Sequence, residues 1–198
     1  YHPAKRLLVM VDRDEKDMRT GAGQVDNASF NPEDWTLSFL PASGGFWARV
    51  FGAIRFLPSS YDGSVAMHEA THSVFQDLIG GILNPEILGL HEAFADYFSM
   101  AVLGAPTIGE VMQKGTALRR ADKILQYEPS MEAHDLGNVV VSALWKIRGL
   151  LNDKELADQT ALETIRVVSA NPYASAGDVG PAHIRALERL GAQALASD

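Results

Sequence analysis

Residues 62–104 read DGSVAMHEATHSVFQDLIGGILNPEILGLHEAFADYFSMAVLG, and this stretch decides the fold. Val65, His68, His72, Phe75 and Ile79 recur at helical spacing, Asp62 or Ser64 is placed to cap the first turn, and Gly80-Gly81 is a stop signal. Asn84-Pro85 opens a second helix with proline in its first turn, and Gly104 closes it.

Inside the first helix, residues 68–72 read HEATH, an H-E-x-x-H pattern. Histidines four apart lie on one helix face, close enough to share a metal ion. The same five residues also suit an amphipathic helix whose histidines are hydrogen-bonded core groups, so a third donor is needed to separate the two readings. The chain has no cysteine, which leaves only His, Asp or Glu for that donor. The second helix supplies Glu92 and, one turn on, Asp96 on the same face. Residues 73–91 separate His72 from Glu92, enough for the first helix to end, turn at the glycine pair and return antiparallel. Glu69 lies about 100° round the helix from His68, beside an ion and out of line with it.

Outward from this pair the chain changes character. Residues 7–11 (LLVMV), 35–40 (WTLSFL) and 46–57 read as extended segments, whereas helices are expected near 134–151, 153–170 and 178–196. The expectation is one α+β domain spanning 1–198, with a strand-and-loop lobe over 1–61 and a helical lobe over 62–198. Nothing repeats internally. With 198 residues and 46% hydrophobic content the chain can bury a sizeable core. A net charge of -8, with basic pairs only at Lys5-Arg6 and Arg119-Arg120, argues against a nucleic-acid partner. No run of eighteen apolar residues is present, so no membrane span is expected. The chain begins at Tyr1 and shows no targeting segment, as expected of a fragment or a processed form.

HEATH followed by Glu92 and Asp96 resembles the thermolysin and fungalysin group of gluzincin metallopeptidases, in which a histidine pair on one helix and a glutamate on the next bind zinc at this spacing. The aminopeptidase branch sets its glutamate one residue nearer and carries a GxMEN-type motif, which this chain lacks. The resemblance implies a zincin-like fold with a zinc ion in the cleft between the lobes. It implies His68, His72 and Glu92 as ligands, Asp96 as acceptor from one ligand imidazole, and Glu69 as the base that activates a metal-bound water in peptide-bond hydrolysis.

Three further stretches extend the likeness. NASFN at 27–31 is similar to the family's edge-strand segment, which implies that Asn27 and Ala28 pair with an extended polypeptide substrate. IGE at 108–110 with ALRRA at 117–121 places Arg119 where the family has an arginine for the substrate carbonyl, with Arg120 as the alternative. HDLGNVVVSALW at 134–145 resembles the helix whose leading histidine stabilises the oxyanion, which implies that role for His134. His2, His91 and His183 have no such context. By analogy with the family a secreted or cell-envelope location is expected.

The likeness also has gaps. Leu83 stands where the family has a tyrosine, for which Tyr61 or Tyr127 are substitutes, and Pro129 replaces the acid that orients the catalytic histidine, with Glu128 and Glu132 as stand-ins. Of the family's calcium-site acids only Glu110 remains, with Ser64 and Leu103 at other ligand positions, so calcium is not expected. These departures motivate an alternative: a catalytically impaired zinc-binding relative that serves as a peptide-binding or structural domain.

Overall fold

A computed structural model describes residues 7–11, 27–42, 56–79, 85–128, 130–171 and 173–197. Strands β1 (Leu8–Val11), β2 (Ala28–Asn31) and β3 (Thr36–Phe39) precede a 3-10 turn at Ser59–Tyr61. Helices α1 (Gly63–Ile79) and α2 (Pro85–Leu103) follow, then the two-residue strands β4 (Thr107–Ile108) and β5 (Arg119–Arg120). Helices α3 (Ala133–Leu150), α4 (Lys154–Ser169) and α5 (Ala176–Ser197) complete the chain. Among the described residues the architecture is α+β: a three-stranded sheet, a two-stranded sheet and five α-helices.

Local chemistry sets the helix ends. Asp62 caps α1, its Oδ1 accepting the Ser64 N–H at 3.0 Å and its carbonyl accepting the Ala66 N–H at 3.0 Å. Pro85 is the first residue of α2, where a missing N–H costs nothing. Gly104 adopts φ +69° just past its end, and the Ala105 N–H reaches back to the Met100 carbonyl at 3.1 Å, a glycine-dependent C-cap. Glu132 and Asp153 cap α3 and α4 through their side chains. The glycine pair at 80–81 and the segment 43–55, which holds most of the expected strand at 46–57, lie outside the described residues.

α2 is the central element, buried nearly all round and packed against α1, α3, α4 and α5. Two glycines let α3 approach it closely. A Cβ on Gly137 would stand 2.8 Å from the Glu92 Cβ and 3.0 Å from the Ala93 backbone nitrogen, and one on Gly89 would stand 2.6 Å from Leu136 Cδ2. That contact brings the start of α3 over the middle of α2. In the sheet, β3 is central, parallel to β1 and antiparallel to β2. Ala28, Leu37 and Phe39 of the sheet join Val65, Phe75, Phe94, Tyr97 and Val141 in one apolar core. Among the described residues no helix is long and apolar enough to cross a membrane.

Candidate metal centre

His68 and His72 stand one turn apart on α1, and α2 runs alongside to present Glu92. Their donor atoms converge. His68 Nε2 is 3.0 Å from His72 Nε2 and 3.2 Å from Glu92 Oε2, and His72 Nε2 is 3.5 Å from Glu92 Oε1. Two donors about 2.1 Å from a tetrahedral ion stand about 3.4 Å apart, so these edges fit one zinc-sized ion. Glu92 Oε2 accepts no hydrogen bond of good geometry although it is buried, which is costly for a carboxylate oxygen unless another partner is supplied. The three residues form the group able to hold a metal ion among those described.

Behind the group sits Asp96, fully buried on α2, with Oδ1 2.7 Å from His68 Nδ1. Arg119 grips the same carboxylate through Nε at 2.6 Å and Nη2 at 2.8 Å. The Arg119 Nη2 atom also lies 3.3 Å from His68 Nδ1. A carboxylate only accepts and a guanidinium only donates, so the Nδ1 proton belongs to the bond with Asp96 and the approach to Arg119 is a contact between donors. With Nδ1 protonated, the neutral ring directs its lone pair from Nε2 into the donor triangle.

The electrostatics follow from this packing. Burial alone would lower the His68 pKa, but the Asp96 carboxylate overrides it and raises the value to about 9. Burial lowers His72 to about 3, reinforced by the charge on His68. Burial opposes ionisation of Asp96, yet Arg119 and His68 hold it well below the usual carboxylate range. Glu92 is likewise opposed by burial and brought down to about 2 by the imidazoles. Glu69 differs: burial is its largest influence and pushes it up, with Glu92 adding to the rise.

The cleft in front of these residues has a volume of about 300 Å³. Glu69, Arg119, His134, Asn27 and Ala28 all line it. His134, half-exposed at the start of α3, has Nε2 3.4 Å from Glu92 Oε2 and Nδ1 3.1 Å from Glu132 Oε2. Glu132, not Glu128, is therefore the acid on His134. β2 is an edge strand whose 27–40 pair is hydrogen-bonded to β3 through the Leu40 N–H and the Asn27 carbonyl at 2.9 Å. By the alternation of an antiparallel ladder, Ala28 and Phe30 turn their backbone groups away from β3, to an edge with no partner strand among the described residues. The Ala28 N–H is already taken by Asn27 Oδ1 at 2.9 Å, so among the described residues the Ala28 carbonyl and the Phe30 amide are the groups left for an added strand.

Other expected residues fall elsewhere. Arg120 turns outward to Asp122. Tyr61 is exposed, and Tyr127 reaches Glu86 in a separate apolar cavity, so neither lines the cleft. His183 bonds to Thr164, far from the site. His2, Leu83 and Pro129 lie outside the described residues. His91 stacks on His72 with centroids 5.9 Å apart and lines the cleft without joining the donor group. Sequence reasoning missed the β4–β5 hairpin, whose Ile108, Met112 and Leu118 form one wall of the cleft. Its only local signal is Gly109, which adopts φ +77°. No model of a known protein family matches the chain, and no curated protein is significantly similar to it in sequence.

Proposed function

We propose that the protein is a zinc-dependent endopeptidase of the thermolysin- and fungalysin-like gluzincin type, with a zincin-like fold. The observation that carries this reading is the convergence of His68 Nε2, His72 Nε2 and the Glu92 carboxylate at edges of 3.0 to 3.5 Å beside the buried Glu69. Two imidazoles and one carboxylate, with no thiolate in the chain, match a catalytic zinc site that keeps one position open. When bound, the ion supplies Lewis-acid polarisation of a carbonyl and lowers the pKa of water from 15.7 to about 7.

The chain's own residues supply the rest. The free edge of β2 receives an extended peptide through the Ala28 carbonyl and the Phe30 amide. Glu69, whose pKa burial raises toward neutrality, takes a proton from water and returns it to the leaving amine. Arg119, held flat by Asp96, and His134 in its imidazolium form, with Nδ1–H given to Glu132 and Nε2–H directed to the cleft, present donors where negative charge develops on the scissile oxygen. Asp96 keeps His68 in the tautomer that presents Nε2.

The absence of a tyrosine from the cleft among the described residues favours the second reading, a zinc-binding relative of reduced activity. Peptide hydrolysis by wild type and Glu69→Gln, with chelator and zinc add-back, separates the two. Expected are equal zinc contents, near one ion per chain, and a fall of at least about a hundredfold in kcat for Glu69→Gln. Equal hydrolysis by both proteins would eliminate the mechanism, and zinc binding with no hydrolysis by wild type would leave the second reading.

A further inference from the structure

A capping aspartate ordinarily serves its own helix, but Asp62 does more. Its side chain is 2% exposed and all its acceptor capacity is directed inward. Oδ1 takes the Ser64 N–H at 3.0 Å and the Ser64 hydroxyl at 2.5 Å, and Oδ2 takes the Met112 N–H at 2.8 Å. A serine hydroxyl has one proton. Because Ser64 gives it to Asp62, its oxygen is the acceptor for the Gly109 N–H at 2.8 Å. Two side chains of the first turn of α1 therefore hold two amides of the segment that links β4 to β5, 45 and 50 residues further along the chain.

Besides these two ties the segment is held by turn bonds of its own, by the Leu57 N–H to the Met112 carbonyl at 2.8 Å and by the buried Ile108 and Met112 side chains. β4 and β5 are two residues each, Glu110 and Val111 are exposed, and Gly109 with φ +77° is folded so that Leu118 fills the space a side chain would occupy. Yet Ile108, Met112 and Leu118 of the segment line the cleft, and Leu118 leads directly into Arg119. We infer that Asp62 is a positioning residue: through Ser64, Met112 N–H and Gly109 N–H it sets the wall that carries Leu118 and Arg119 at a fixed distance from the helix that carries His68, Glu69 and His72. What the wall meets in the cleft, an extended peptide, rests on the metallopeptidase reading above. Its attachment to α1 does not.

Asp62→Asn keeps the size and one oxygen but turns an amide donor toward one of the N–H groups. Ser64→Ala leaves the Met112 tie in place and removes the Gly109 tie alone. The test uses the zinc-loaded full chain and three readouts: residue-resolved amide hydrogen exchange, zinc affinity, and steady-state hydrolysis of a fluorogenic peptide. In Asp62→Asn the Gly109 and Met112 amides should exchange about tenfold faster, the equivalent of one lost hydrogen bond each, while α2 and α3 core amides and zinc affinity stay unchanged. KM should rise and kcat should fall, each about tenfold, because the wall carries both Leu118, which lines the cleft that receives substrate, and Arg119, which acts on charge that develops only in the transition state. In Ser64→Ala only the Gly109 amide should accelerate. Uniform acceleration across all helices, no change at Gly109 and Met112, or a loss confined to kcat would overturn the inference. A wild type that binds zinc but hydrolyses no peptide would overturn the peptidase reading instead, and the exchange pattern would still decide whether Asp62 holds the wall.

Discussion

Replacing Asp96 by asparagine tests whether the buried carboxylate both holds the fold together and prepares the donor triangle. The substitution keeps shape and removes one charge. In the wild type, Asp96 is fully buried, accepts from Arg119 at 2.6 and 2.8 Å, and meets His68 Nδ1 at 2.7 Å. Breaking a buried pair by removing one partner costs about 3 to 5 kcal/mol, and the Arg119 side chain is 18% exposed, so about 3 kcal/mol is expected for the metal-free protein. The amide oxygen can still accept from His68 Nδ1–H, so the ring stays in place and loses only the support of a negative charge. Loss of such a partner weakens metal binding about 10- to 100-fold. Urea unfolding of metal-free protein measures the first effect, and competition against a chromophoric zinc chelator measures the second. The combination Asp96→Leu with Arg119→Met removes both charges and should recover most of the stability while zinc affinity stays low, since the two effects arise at different atoms. Stability within about 0.5 kcal/mol of wild type together with unchanged zinc affinity in Asp96→Asn would refute the reasoning.

Gly137→Ala should destabilise the protein by about 1 to 2 kcal/mol despite alanine's better helix propensity, and should weaken zinc binding, because its Cβ meets the Glu92 Cβ and the Ala93 backbone; Gly149→Ala, on the same helix in open space, should be neutral or stabilising in the same urea titrations. Tyr97→Phe removes a hydrogen bond to Asp158 at 2.8 Å and should cost about 1 kcal/mol at pH 8. Burial, with Asp158 beside it, raises the Tyr97 pKa above its ordinary 10, so its protonated form contributes stability that is present in full below pH 10 and lost as pH rises further; the wild-type advantage over the phenylalanine variant should shrink above pH 10 in alkaline denaturation. Zinc at a hundred times its Kd should stabilise the folded chain by about 2.7 kcal/mol in thermal melts, chelator should reverse the shift, and Glu92→Gln should abolish most of it.

The parts legible in sequence are those that local rules determine. Asp62, Pro85 and Gly104 bracket α1 and α2 because capping, proline placement and left-handed backbone depend on a few adjacent residues. The four-residue step from His68 to His72, and from Glu92 to Asp96, likewise follows from helix geometry. The choice between Arg119 and Arg120 is different in kind. Neighbours in a strand face opposite ways, and only the tertiary position of β5 sends Arg119 to Asp96 and Arg120 to Asp122. The same holds for Glu132, which takes the place of an acid the spacing puts at Pro129, and for the wall built on Gly109 and Met112, whose ties span 45 and 50 residues. A two-residue strand has no periodicity to read, and a hydrogen bond from an amide on a distant loop to a serine on one helix leaves no pattern in either segment.

The charge distribution adds a second argument for a divalent ion to the spacing of the H-E-x-x-H pattern. Glu69, Glu92 and Asp96 bring three carboxylates into one buried cluster, and Arg119 is the permanent cation paired with them. With both imidazoles neutral, as ligation requires, and all three acids ionised, the cluster would carry a formal charge of -2, which a folded interior does not sustain unless it is compensated. Metal-free protein meets part of the deficit by drawing a proton onto His68, whose pKa Asp96 raises to about 9, with His72 Nε2 3.0 Å and Glu92 Oε2 3.2 Å from its Nε2. One divalent cation meets the whole of it. A cluster built only to stabilise the fold would have no reason to place Glu69 and Glu92 against a triangle of donors this small, since removing either acid would reduce the burden. The excess of acid over base in the cleft is therefore a feature that a bound divalent cation would compensate.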